Sequence, residues 1–273
     1  MNISVVILTL DEELNLPGAL ESLRGLCDDV TVLDSFSSDR TCEIAREWGA
    51  RVVQRKFDDY AGQRQAALSQ LSHRNAWILM MDADERVDAA LWNEMMQRIA
   101  LASPEVAMFR MRRKDHFMGK WIRHSSGYPT WFGRLMKVGQ ARVQRPVNEE
   151  YVANGRIEHL DGHLLHFPFQ RGLAHWIERH NRYSSMEAEI VVSGAHTPRA
   201  RELMAADPTV RRRALKALAY RIPCRPLLVF AYLYVLRGGF LDGGAGLRFC
   251  ALRSMYEFLI DLKAQEIRQV RDR

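Results

Sequence analysis

The sequence predicts an α/β fold: a mostly parallel sheet flanked by helices, followed by a C-terminal helical extension. Three observations predict it. Short apolar runs alternate with amphipathic stretches through the first hundred residues, strand-like segments replace that rhythm after Ser103 and Pro104, and helical periodicity returns from Leu173 onward. At 273 residues, 47% hydrophobic and 26% charged, the chain can build one large domain with a helical appendage.

Taken in order, SVVILTL precedes LPGALESL, DVTVL precedes SDRTCEIAREW, ARVVQ precedes YAGQRQAALSQL, and WILMM precedes DAALWNEMMQRIA. Successive β-α units require parallel strands, because each helix carries the chain back to the start of the next strand. Pro17 suits a first helical turn, where its missing N–H costs nothing, and Ser38 or Asp39 suits the cap of the helix bearing Cys42. Gly49 suits that helix's end. Segments such as VAMFRMRR and RLMKV, with turns at Gly119, Gly127 and Gly139, predict an added β-region covering the sheet's open edge. Residues 173–192 predict a helix with Leu173, Trp176, Ile177, Tyr183 and Ala188 on one face. From about Thr197 the chain reads as helical, broken by PCRP at 223–226 and by GGFLDGGAG at 238–246, the latter a flexible turn.

Composition narrows the class. MNISVVILTL lacks the basic start of a secretory leader and runs into Asp11, Glu12 and Glu13, so it reads as a buried first strand. Cys27, Cys42, Cys224 and Cys250 form no C-x-x-C pair, which argues against a disulfide framework or zinc ribbon and for a reducing cytoplasm. The longest apolar run, LLVFAYLYVL at 227–236, falls short of the roughly 20 residues that cross a bilayer. The net charge of +6 is uneven: from Arg199 onward 15 Lys+Arg stand against 7 Asp+Glu, and before it 24 stand against 26. Such a basic tail suits a solvated helix, a nucleic acid or an anionic lipid surface.

The chemistry concentrates at WILMMDADERVD, residues 77–88, where an apolar run meets Asp82, Asp84 and Glu85. Ligands of open α/β sheets gather outside the carboxyl ends of the strands, where these acids fall. In an extended chain, residues two apart point the same way, so Asp82 and Asp84 would converge and repel unless a cation lay between them. Oxygen ligands suit Mg²⁺ or Mn²⁺, which completes its shell with phosphate oxygens and thus suggests a nucleotide diphosphate. The plainer alternative is that Asp84 and Glu85 cap the following helix. Thr9 with residues 11–13, and Asp34 in VLDSFSSDRT, fall at the same edge.

Taken together these positions resemble the family 2 glycosyltransferases of the GT-A fold. FDDYAGQRQAAL (57–68), RLMK (134–137), RPVNEE (145–150), LLHF (164–167), HNRYSSMEA (180–188) and GGFLDGGAGLRFCALRSMYEFL (238–259) are similar to the branch containing lipopolysaccharide core β-1,4-glucosyltransferases. The resemblance implies a GT-A catalytic domain over 1–196 and a basic helical region, suited to membrane association, over 197–273. It further implies an inverting enzyme that moves a sugar, glucose by analogy, from a UDP-sugar to a lipopolysaccharide core acceptor. By position, Thr9, Glu12 and Asp34 would approach the base or ribose, Arg64 the diphosphate, and Asp82 ribose or metal. Asp84 would be the principal ligand of Mg²⁺ or Mn²⁺, with His166 close to the metal or the acceptor. Glu149 would be the catalytic base, although Asn148 stands where the family usually has His and adjacent Glu150 competes for the role.

The implied partners are a UDP-sugar donor, a lipid-linked oligosaccharide acceptor and an anionic membrane surface, with no nucleic acid. The location is the inner face of the cytoplasmic membrane, held there by Arg211, Arg212, Arg213, Arg221, Arg225 and Arg237, unless residues 227–236 form a buried helix instead. Two other readings remain: a nucleotidyltransferase with a similar metal site, and a noncatalytic basic protein that binds nucleic acid. No Lys-containing phosphate loop follows the first strand, and no nucleic-acid recognition module is visible. In HLDGHLLH, strand alternation separates His163 from His166, so the run is not a metal cluster.

Overall fold

The computed structural model describes residues 3–144, 150–193, 204, 222 and 224–271. They fall into two compact units, Met1–His116 with Tyr128–Gln170, and Phe117–Gly127 with Arg171–Arg273. In chain order the elements are β1 (Ile3–Thr9), α1 (Leu16–Glu21), β2 (Val30–Asp34), α2 (Thr41–Trp48), β3 (Arg51–Gln54), α3 (Tyr60–Ser69) and β4 (Trp77–Asp82). Then come β5 (Glu85–Arg86), α4 (Ala89–Leu101), β6 (Val106–Phe117), β7 (Lys120–Trp121), β8 (Trp131–Lys137), β9 (Ala141–Gln144), β10 (Glu150–Ala153) and β11 (Arg156–His166).

The principal sheet runs β3-β2-β1-β4-β8-β6-β11-β5. Its first four strands are parallel, as the β-α rhythm predicts, with Thr9 opposite Asp34 and Leu8 opposite Asp82. The predicted β-region does not cover the open edge but continues it. Strand β8 pairs antiparallel with β4 and β6, satisfying backbone groups that an exposed edge would leave open. Strand β11 then pairs parallel with β6, and β5 pairs antiparallel with β11.

The unbroken apolar run of β4 is explained by burial on both sides. Trp77, Leu79 and Met81 join Val5, Ile7 and the residues of α1 and α4 in one cluster, while Ile78 and Met80 join Val6, Met136 and Ala67 of α3 in another. Each fully buried side chain of this size contributes on the order of 1.5–3 kcal/mol. At the helix ends, Pro17 sits in the first turn of α1 and Gly49 ends α2 at φ 96°. Asp39, rather than Ser38, takes the Thr41 N–H at 2.9 Å; Ser38 is drawn instead to Asp11.

In the second unit the helices are α5 (Gly172–Val192), α6 (Arg225–Ala231) with a π-helical continuation Tyr232–Leu236, a 3₁₀ turn Gly239–Asp242, and α7 (Gly243–Arg271). Helix α5 is therefore grouped with the C-terminal helices. Its buried seam is Trp176, Ser184 and Ala188, whereas Leu173 and Ile177, expected on that face, are exposed because the seam follows the i, i+4 row through His180. The HNRYSSMEA motif is a packing joint here. His180 stacks on Trp176, and the Lys263 ammonium donates to Asn181 Oδ1 at 2.6 Å and to Ser184 and Ser185 Oγ at 2.8 Å. Arg225, expected to face lipid, is buried between Glu257 and Asp261, each 3.0 Å away. Arg211, Arg212, Arg213 and Arg221 lie outside the described residues.

The GGFLDGGAG segment is not a flexible turn. Asp242 accepts the Ser125 Oγ–H at 2.7 Å and the backbone N–H groups of His124 and Ser125 at 2.9 Å. A Cβ on Gly246 would sit 2.1 Å from the Gly239 carbonyl oxygen. Gly246→Ala is accordingly expected to destabilise the protein by about 1–3 kcal/mol through backbone overpacking, read from urea unfolding. An unchanged midpoint would mean that the close approach does not hold.

Candidate active site

Thr9, Asp34 and Asp82 share one sheet edge because β1, β2 and β4 are parallel and in register. At the β1–β2 corner, Asp34 is fully buried. Its carboxylate accepts from Thr9 Oγ1 at 2.9 Å, from Ser37 N at 2.9 Å, from the Ser37 hydroxyl and from Gln54 Nε2 at 3.1 Å. Burial pushes the Asp34 carboxyl up, but these donors more than offset it and leave the pKa lowered. Asp34 thus presents no open oxygen. It instead pins the turn that turns Phe36 outward at φ 63°, an uncommon conformation for a residue with a side chain. Glu12 is part of the same knot, its N–H bonded to Thr41 Oγ1 at 2.7 Å and its Oε2 to Asn15 Nδ2 at 2.7 Å.

At the end of β4 the chain turns through Ala83 and Asp84, and this overrides the expected alternation. Asp82 and Asp84 consequently meet different partners. Arg64 Nη2 donates to Asp82 Oδ1 at 2.7 Å and Arg134 Nη2 to Asp82 Oδ2 at 2.5 Å, so both oxygens are taken by guanidinium groups. Two arginines thus supply positive charge of the kind a cation was invoked to provide at Asp82. Burial raises the Asp82 pKa, yet Arg134 and Arg64 hold it far below the carboxylate range.

Asp84 Oδ2 lies 3.2 Å from His166 Nε2, and the other ring nitrogen, Nδ1, lies 2.6 Å from Asp115 Oδ1. Strand β11 delivers His166 because its last residues pair with β5, His166 opposite Glu85. Burial disfavours the imidazolium, but the Asp84 carboxylate outweighs it and, with Asp115, pushes the His166 pKa up to about 9. In Asp84, burial raises the pKa and His166 lowers it by more. Among the described residues no group of three or more His, Cys, Asp or Glu is placed to hold a metal ion. One carboxylate oxygen facing one imidazole nitrogen makes a mixed donor pair compatible with Mn²⁺ or Mg²⁺ once the ring gives up the proton that Asp84 and Asp115 stabilise, provided a ligand supplies further oxygens.

Glu85, fully buried, completes the network. Its Oε1 accepts from Arg134 Nη2 at 2.7 Å, and its Oε2 from the Asp82 N–H at 3.0 Å. Arg64 Nη1 also reaches the Tyr151 hydroxyl at 3.3 Å, and Arg113 Nε donates to Asp115 at 2.9 Å. Arg134, Asp115, Arg113 and Tyr151 are the participants that sequence reasoning does not single out. Arg134 sits inside the quoted RLMK motif, and Arg113 and Asp115 share a face of β6 by period-two spacing, so a signal existed without a reason to weight it. Glu149 lies outside the described residues, and Glu150 opens β10 with its side chain likewise undescribed.

The sequence profile described as Glycosyl transferase family 2 matches residues 4–156. The lipopolysaccharide core biosynthesis glycosyltransferase LpsC of Rhizobium meliloti (strain 1021) is 31% identical over 216 residues, covering 76% of this chain and 77% of its own. The glycosyltransferase RT0209 of Rickettsia typhi (strain ATCC VR-144 / Wilmington) is 37% identical over 201 residues, covering 70% and 68%. Among solved structures, S. aureus TarS 1-349 aligns with 98% of this chain and 92% of its own at 14% identity and a TM-score of 0.45. Glucosyl-3-phosphoglycerate synthase from Mycobacterium tuberculosis in complex with Mn²⁺, UDP and glucosyl-3-phosphoglycerate aligns with 46% of this chain and 47% of its own, at 21% identity and a TM-score of 0.37.

Removing the shared guanidinium should be costly. Arg134→Met leaves Glu85 buried without its 2.7 Å partner and is expected to destabilise the protein by about 3–5 kcal/mol in urea unfolding. Arg134→Lys should recover part of this, since one nitrogen makes both contacts. Equal stability of the Met variant and the parent would show that the network carries no structural burden.

Proposed function

Because the chain belongs to glycosyltransferase family 2, we propose that it transfers a sugar, glucose first among candidates, from a UDP-sugar to a lipid-linked lipopolysaccharide core oligosaccharide with inversion. Family membership also sets aside the nucleotidyltransferase and nucleic-acid-binding alternatives. The observation that carries the proposal is the Asp84–His166 pair, 3.2 Å apart, set beside Arg64 and Arg134 in one unit with Thr9 and Asp34. The relative named for lipopolysaccharide core biosynthesis supports the acceptor class.

Each residue then has a task. Thr9, Glu12 and Asp34 shape the corner for the base and ribose, with Asp34 acting from beneath. Arg64 and Arg134, held in place by Asp82 and Glu85, present fixed guanidinium donors toward the diphosphate without reorganising during reaction. Asp84 and His166 hold Mg²⁺ or Mn²⁺, which when bound neutralises charge on the departing diphosphate. Glu149, or its neighbour Glu150, takes the proton from the acceptor hydroxyl. The acceptor oxygen bonds to the anomeric carbon from one face as the bond to the β-phosphate oxygen breaks on the other, and UDP leaves with the electron pair. An α-linked donor thus yields a β-linked product. The enzyme works at the inner face of the cytoplasmic membrane, where such acceptors are anchored.

The test is a panel of UDP-glucose, UDP-galactose and UDP-N-acetylglucosamine with Mn²⁺ and extracted core lipid, scored for UDP release and β-linked product. Asp84→Ala is expected to lower turnover by at least about a hundredfold and to weaken Mn²⁺ binding measured by electron paramagnetic resonance. Unaltered Mn²⁺ binding in that variant would overturn the metal assignment. Glu149→Gln should bind UDP-sugar and fail to transfer it; if Glu150→Gln is the inert one, the base is the next residue.

A further inference from the structure

Helix α6 and its continuation present a helical stripe that nothing among the described residues covers. Leu227, Leu228, Ala231, Tyr232, Val235 and Leu236 recur at helical spacing, and all six are exposed, Leu227 at 70% and Leu236 at 78%. No polar or charged side chain interrupts the stripe apart from the phenol of Tyr232. The opposite side is fixed within its own unit: Arg225 is buried against Glu257 and Asp261, and Pro226 O accepts from Ser254 Oγ at 2.8 Å. Phe240 and Leu241, at 50% and 63% exposure, extend the apolar surface into the 3₁₀ turn. Residues 227–236 are therefore not a buried core helix, the alternative that the sequence allows.

We propose that this stripe is an interfacial element that lies in the headgroup region of an anionic bilayer. The proposal deepens the membrane-face reading given above and rests on it for the biological setting. Three observations select lipid as the occupant. Between Asp207 and Asp242 the sequence contains no Asp or Glu, while Arg211, Arg212, Arg213, Lys216, Arg221 and Arg237 are basic, Arg225 being neutralised by Glu257 and Asp261. An apolar helical face beside a basic, acid-free segment is complementary to negatively charged headgroups. A second copy of this chain brings the same basic, acid-free sequence and no complementary charge, which disfavours pairing of the stripe with itself. Finally, among the described residues no single helix is long and apolar enough to cross a membrane, and Arg225–Leu236 with Gly239–Arg271 has that length and composition only as a pair bent by 72°. Twelve helical residues span about 18 Å, less than a hydrocarbon core, so the element lies along the interface.

The experiment uses the full chain without sugar donor. The protein is floated with vesicles of phosphatidylethanolamine and phosphatidylglycerol, with phosphatidylcholine vesicles as control, as sodium chloride is raised. The expected result is flotation on the anionic vesicles that weakens with salt, and a fall of at least about tenfold in bound fraction for the double variant Leu228→Glu with Val235→Glu. Hydrogen exchange at residues 227–241 should slow when anionic vesicles are added to the parent. The double variant's urea midpoint and its UDP binding by calorimetry should match the parent, because the substituted positions are exposed. No flotation of the parent, equal flotation of the double variant, or a parent dimer that the double variant dissolves would each overturn the proposal. Flotation is scored separately from UDP binding, so either reading can fail while the other stands.

Discussion

One guanidinium nitrogen of Arg134 lies 2.5 Å from Asp82 and 2.7 Å from Glu85, and the geometry of the candidate site follows from that junction. Strand β5 begins three residues after β4 ends, yet it pairs at the far end of a path that runs through β8, β6 and β11. Laid flat, four strand spacings would separate β4 from β5 by about 19 Å, while three residues reach about 11 Å at most. The sheet must therefore curl back on itself, and the residues at the closure are Asp82 and Glu85. Like charges so close and so buried would oppose the curl. Arg134, projecting from β8 between them in the strand order, neutralises both. Burial alone would favour deprotonating it, but the two carboxylates keep its pKa above the ordinary value.

The curl also delivers the metal-binding candidates. His166 ends β11, and only because β11 takes β5 as its neighbour does the imidazole arrive beside Asp84. Asp115, on β6, then holds the other face of the ring at 2.6 Å. A histidine fixed on one side by a carboxylate is limited to one ring orientation and one tautomer, the usual means of aiming the remaining nitrogen. Burial by itself would raise the Asp115 pKa, but the hydrogen bond from His166, and then Arg113 beside it, hold it below the ordinary value. The pairs form a chain of alternating charge in which no member is buried alone, as the cost of an isolated charge in a low-dielectric interior requires.

Burial gives two of the expected residues partners within the protein. Asp34 has a nucleotide-facing position in the sequence pattern, but with its oxygens satisfied by Thr9, Ser37 and Gln54 it serves as the anchor of a loop. The outward residue of that loop is Phe36, held with positive φ by bonds that a change at Asp34 would release. Asp82 likewise is the counter-ion of Arg64 and Arg134. In both cases a carboxylate at the strand's end was legible, and the identity of its distant partners was not, because Gln54 lies 20 residues from Asp34 and Arg134 lies 52 from Asp82.

The sequence by itself determined the layered α/β architecture, since apolar runs of strand length alternating with amphipathic stretches can bury their faces in few other ways. It also determined the family, the carboxyl-edge location of the acids and the end of α2 at Gly49. Only tertiary structure decided that Asp82 and Asp84 part company, because a turn at Ala83 replaces the extended geometry on which alternation depends. It decided that Arg225 is internal while the stripe from Leu227 to Leu236 faces outward, because helical periodicity identifies an apolar face without saying whether anything covers it. It decided as well that GGFLDGGAG is a joint, since small residues signal flexibility and close packing alike until a neighbouring backbone is located. Local pattern follows from covalent geometry and the hydrophobic effect; which charge meets which is settled by the path of the chain.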